Sequence, residues 1–98
     1  MTRNLDRRLT AITAEVSALR AEVAVLAEQV SFQRSVAEET EVRALVAETP
    51  LADREARVAA EDLRRIERVA AEAQSRLASL LEEQDRLLGE LVVGPGPG

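Results

Sequence analysis

Two long runs of apolar residues in alternating steps of four and three constrain this chain more than anything else in it. The first is Leu5, Leu9, Ile12, Val16, Leu19, Val23, Leu26 and Val30. The second, after Pro50, is Ala52, Ala56, Ala59, Leu63, Ile66, Ala70, Ala73, Leu77, Leu80, Gln84, Leu87 and Leu91. A 3.5-residue repeat keeps one stripe of a helix turned toward a partner helix, so the expected class is all-α, built as a coiled coil.

Composition agrees with paired helices rather than a globular core. Hydrophobic residues make up 46% of the 98, yet many are Ala and the one aromatic is Phe32. Helices can pack through Leu, Val and Ala without the large area that aromatics bury. Charged residues reach 32%, mixed in sign, as suits long exposed helix faces.

The first stripe predicts helix 1 over about residues 4–48, capped by Thr2 or Asn4, with Asp6 favourable near its positive end. With its Leu and Ile set as heptad d and its Val set as a, Val16, Val23 and Val30 form the a layer. That combination also suits a parallel two-stranded assembly, in which Glu15 and Arg20 pair between chains, so that alternative stays open. Beyond Val30 the seam weakens to Gln33, Ala37, Thr40, Ala44 and Ala47, and a second apolar stripe joins it: Val25, Phe32, Val36 and more loosely Val42 and Val46.

Pro50 disfavours helix at Thr49, and the seam restarts there one residue late. A proline and a phase break together predict a turn, at 49–53. Asp53, or Thr49 with Pro50 as first helical residue, is the candidate cap for helix 2. Helix 2 is predicted over about 53–93, ending at Gly94-Pro95, with Gly89 loosening its last turn and a disordered Gly/Pro tail over 94–98.

Two helices of nearly equal length about one turn predict an antiparallel hairpin over 1–93. Folding the chain about that turn sets Ala44 opposite Ala59, Ala47 opposite Ala56, Ala37 opposite Ile66 and Leu26 opposite Leu77, with small residues facing small ones near the turn. It also brings Glu38, Glu39 and Glu41 near Arg64 and Arg65. Such a hairpin buries one stripe per helix and leaves apolar residues over. Val25, Phe32, Val36, Leu81 and Leu88 are the expected association face, with Val69 and Val92 beside them. Dimerisation into a four-helix bundle buries them most simply, and a different helical protein is the other candidate partner.

Chemistry is hard to build from these residues. His, Cys, Tyr and Trp are absent, which removes the commonest general base, the thiolate nucleophile and most metal ligands. Glu38, Glu39 and Glu41, or Glu82, Glu83 and Asp85, read as solvated acidic faces. No catalytic residue, metal or cofactor is expected. The net charge of −5 disfavours a nucleic-acid partner, which needs a basic footprint. Arg64, Arg65 and Arg68, with Arg34 on helix 1, are the candidate contacts for a small anion. Neutralisation by Glu61, Glu67, Glu72 and the acids of helix 1 competes with that role. Gln84, polar in an apolar seam, either fixes register or marks a loose, wet end. No membrane span or signal-peptide core is visible, so the cytoplasm is the expected location.

Two resemblances are partial. In length and helical-hairpin form the chain resembles the WXG100 proteins, but its turn, Thr49-Pro50-Leu51-Ala52, lacks their Trp and Gly. Val30-Ser31-Phe32-Gln33-Arg34 is similar to the centre of Glu-x3-Ser-x2-Arg-x3-Gln-x3-Asp, the motif of actinobacterial anti-sigma hairpins that bind cyclic di-GMP. Ala27, Glu38 and Val42 stand at the other three positions. That resemblance implies sequestration of a transcription factor, with an anionic ligand near Ser31 and Arg34. Glu38 would bring an acid toward it. The function expected is therefore non-catalytic: an adaptor, scaffold or regulator working by helix-on-helix contact. The alternative is an anti-sigma-like regulator, with or without such a ligand.

Overall fold

A computed structural model describes residues 2–93, and the side chains of 3–92. The Gly/Pro tail expected over 94–98 lies outside the described residues. The protein is an all-α helical hairpin of two helices, α1 (Thr2–Ala47, 46 residues) and α2 (Pro50–Val93, 44 residues). Between Thr2 and Val93 only Glu48 and Thr49 are not helical.

The turn is tighter than its sequence suggests, and both of its residues have a defined task. Glu48 sits at φ 51°, in the left-handed region. Its N–H bonds the Ala44 carbonyl at 3.1 Å, which terminates α1 in the manner usually given to glycine. Thr49 then caps α2: its Oγ1 accepts from the Ala52 N–H at 3.2 Å. Pro50 is the first helical residue, where a missing N–H costs nothing. The Thr49 carbonyl accepts the first helical bond, from Asp53 N–H at 3.0 Å. The cap is thus Thr49 and not Asp53, and α2 starts three residues before the expected position.

The contacts of the described residues divide into two compact units: those up to Glu22 with those from Ala73 on, and Val23–Glu72. In the first unit the core is Ile12, Val16 and Leu87, with Leu5, Leu9, Leu77, Leu80 and Leu81 packed against it. Leu87 is 1% exposed. Ala73, equally enclosed, gives the small contact at which the helices can approach closely. In the second unit Leu26, Thr40, Ala52 and Ala59 are buried, and Val30, Gln33, Ala37, Ala44, Leu63 and Ile66 are half-buried. Thr40 is the one buried polar residue in the described set. Its hydroxyl bonds the carbonyls of Val36 at 2.9 Å and Ala37 at 3.0 Å, so it is satisfied within its own helix.

Both expected stripes are therefore the inward faces, with two exceptions at their ends: Ala47 and Leu91 are exposed. Continuing the lettering into α2 puts Ala52, Ala59, Ile66, Ala73, Leu80 and Leu87 at d. Polar contacts between the helices then join like letters. Arg43 reaches Glu55 at 3.8 Å, g to g, and Arg34 reaches Glu67 at 3.3 Å, e to e, both in the second unit. In the first unit Arg76 reaches Glu22 at 3.8 Å, g to g. Pairing of e with e and g with g follows from antiparallel helices, where opposite directions bring the same flank together.

The register differs from the one expected. Arg43 meets Glu55, where seam matching points to Ala60, and Glu22 meets Arg76, where it points to Leu81. Each partner is displaced by five residues, from an e position (Ala60, Leu81) to a g position (Glu55, Arg76), so the slide is less than a heptad and changes which residues stand level across the seam. Only the turn length decides between such registers, and the two-residue turn at 48–49 is shorter than the span 49–53.

Candidate functional site

Within residues 23–72, the Arg43–Glu55 ion pair marks the side on which g positions of the two helices meet. Val36 and Val69 are g positions, and Val25, Phe32 and Val58 are c positions beside them. Phe32 is 69% exposed, and Val25, Val58 and Val69 are also exposed, while Val36 is half-buried. Phe32 borders a shallow groove lined by Glu28, Gln29, Gln33 and Ile66. Large apolar side chains from both helices thus share one open side of this unit. α1 carries three of the five expected association residues there: Val25, Phe32 and Val36. Val58 and Val69 on α2 extend them.

The other two, Leu81 and Leu88, belong to the first unit. Both are e positions. Leu81 is half-buried and packs against the Ile12–Val16–Leu87 core, so part of its area is already covered. Leu88 is 43% exposed. The g side of this unit is a groove with small side chains, Ala18 and Ser79, between Glu15, Glu22, Arg76 and Glu83. Gln84 donates from Nε2 to Thr13 Oγ1 at 3.2 Å. The polar seam residue therefore has a specific partner on the opposite helix.

The basic candidates fall in the second unit, and two of the four are engaged. Arg34 is held by Glu67, and Arg65 by Asp62 at 2.8 Å on its own helix. Arg64 and Arg68 are exposed and have no ion-pair partner among the described residues. The expected pairing of Glu38, Glu39 and Glu41 with Arg64 and Arg65 is not formed. The shorter turn slides the helices past it, and Arg65 finds a nearer acid one turn away. Each of these exposed pairs contributes only about 0–1 kcal/mol. Among the described residues no group of three acids converges on a point where a metal could sit, and no helix is long and apolar enough to cross a membrane.

Several exposed apolar residues escaped the periodicity argument: Leu45, Leu51 and Val58. They stand at b and c, off both stripes. The signal was present in the run Val42–Ala47, which is apolar at f, a, b, c and d in turn and is interrupted only by Arg43. No family model, curated protein or solved structure matches the chain.

Proposed function

We propose that the protein is a non-catalytic helix-docking module, an adaptor or scaffold, whose second unit associates with a second copy through the side bearing Phe32. The observation that carries this reading is that exposed side. The sole aromatic of the chain is 69% exposed among Val25, Val58 and Val69. Large apolar side chains from two helices, left together in water, favour an apolar partner surface. Isologous pairing of two such sides makes four helices, the arrangement in which amphipathic hairpins bury a second stripe each.

The alternative is a regulator that sequesters a helical transcription factor on the same side. The second copy has the better support, since it needs nothing beyond the chain itself. A small anionic ligand has less, because Arg34 and Arg65 already hold carboxylates. Sedimentation equilibrium separates the two. The scaffold gives a dimer of the 10.7 kDa chain, which Phe32→Asp returns to monomer while leaving the helical circular dichroism intact. A wild type that stays monomeric up to millimolar concentration would overturn self-association and favour a sequestering role.

A further inference from the structure

We infer that the outward face of the last turns of α1, formed by Val42, Leu45 and Val46, is a docking site for an amphipathic helix of another protein. The apolar stripe of that helix would be flanked by Arg or Lys. Val46 shares heptad position c with Phe32 but stands two heptads further along α1, about 20 Å on at 1.5 Å per residue, so the site is displaced along the helix from the groove beside Phe32.

From Val42 to Ala47 the helix is apolar at every position but Arg43, so apolar side chains stand on its outward side as well as its inward one. Ala37, Thr40 and Ala44 turn toward α2, whereas Val42, Leu45 and Val46 turn away from it at 60%, 73% and 80% exposure. Large apolar side chains grouped on an open face mark a surface that favours a covering partner. The outward side here is enclosed by nothing. It forms a shallow hollow bounded by Glu38, Glu39, Val42, Arg43, Val46 and Ala47.

The charge around the patch selects the occupant. Glu38 and Glu39 border it, and Glu41 and Glu48 stand four residues before and three after Leu45 in the chain. Arg43 is the one basic residue between 35 and 53, and Glu55 already holds it. A second copy using this same patch would set those carboxylates against their own counterparts, which opposes association. A head-to-tail contact with some other part of a second copy would not close, and would run on into fibres. A surface of anionic lipid is repelled by the same acids. A helix with cationic flanks meets both demands, covering the apolar residues and neutralising the rim.

The test is fluorescence anisotropy of the full chain with a labelled synthetic helical peptide that has Leu at i, i+3, i+4 and i+7 and Arg on either flank. The expected result is saturable binding that weakens as salt is raised. Leu45→Asp and Val46→Asp should each weaken it by about tenfold or more, and a Glu-flanked peptide with the same Leu stripe should bind at least about tenfold more weakly. Both residues are exposed, so the variants should fold. Glu38→Gln with Glu39→Gln, which leaves the apolar patch untouched, should reduce the salt dependence. Equal binding of the two peptides, or binding unaffected by Leu45→Asp, would overturn the inference. So would uptake onto neutral phosphatidylcholine vesicles in place of peptide binding, or a fall in sedimentation mass caused by Leu45→Asp alone. Those results would give the patch to a lipid surface or to a second copy.

Discussion

Individual residues at the turn and at the far end of α2 carry testable energy. Glu48 occupies left-handed backbone that costs an L-residue about 1–2 kcal/mol. Glu48→Gly removes that cost but adds freedom to the unfolded chain. The net expected is stabilisation of about 0.5–1 kcal/mol, read as a higher urea midpoint at unchanged slope. Thr49→Ala deletes the cap oxygen that accepts from Ala52 N–H, and should cost about 1 kcal/mol in the same titration. Gly89 lies inside α2 with nothing within 4 Å of where a Cβ would stand. Gly89→Ala should therefore stabilise by about 0.5–1 kcal/mol. Nothing in the residue type announced the conformation of Glu48, because glutamate seldom ends a helix in this way. Thr49-Pro50, by contrast, is a legible cap and first helical residue. The competing Asp53 was excluded only once the backbone showed where α2 begins.

At the scale of the helix, the seams decide what each side chain does. Leu87 is 1% exposed in the core with Ile12 and Val16. Leu87→Ala should cost about 2–5 kcal/mol, with the exact value set by how far that core collapses into the space left. Ala73, also 1% exposed, tests the opposite error. Ala73→Leu adds volume where the helices are close and should cost about 1–3 kcal/mol in thermal unfolding. A neutral result would mean there is room beside Ala73. Both stripes were readable from residue spacing alone, because an inward face must recur with the helical repeat. The pairing of one stripe with the other was not. One stripe can slide along the other and still be buried, so a register with Glu55 level with Arg43 and one with Ala60 there are separated only once the turn is counted. The open sides were half legible. Phe32 and Val25 stand out one heptad apart at c. Leu51 and Val58 are likewise a heptad apart at c, and Leu45 follows Val42 by three residues, but each is a short pair beside the long stripes rather than a stripe of its own.

For the molecule as a whole, the proposed function follows from a mismatch between what the fold buries and what the chain contains. One stripe per helix is enclosed, and much of the remaining apolar area, above all between residues 25 and 69, is not. The reading is interaction rather than catalysis, and each open surface has its own occupant and its own variant. Phe32→Asp addresses the second copy, and Leu45→Asp addresses the basic helix. Everything else rests on the chain reversing at Glu48–Thr49: Thr40 and Ala59 are both buried d residues of the second unit, and the register marked by the Arg43–Glu55 pair sets them opposite one another. The protein has no cysteine of its own, which makes disulfide trapping of Thr40→Cys/Ala59→Cys the most direct measurement. Mild oxidation should give a bond within one chain, forming at a rate independent of protein concentration. A bond that forms only between chains, with a rate rising in proportion to concentration, would mean a parallel assembly of extended helices and would contradict the hairpin.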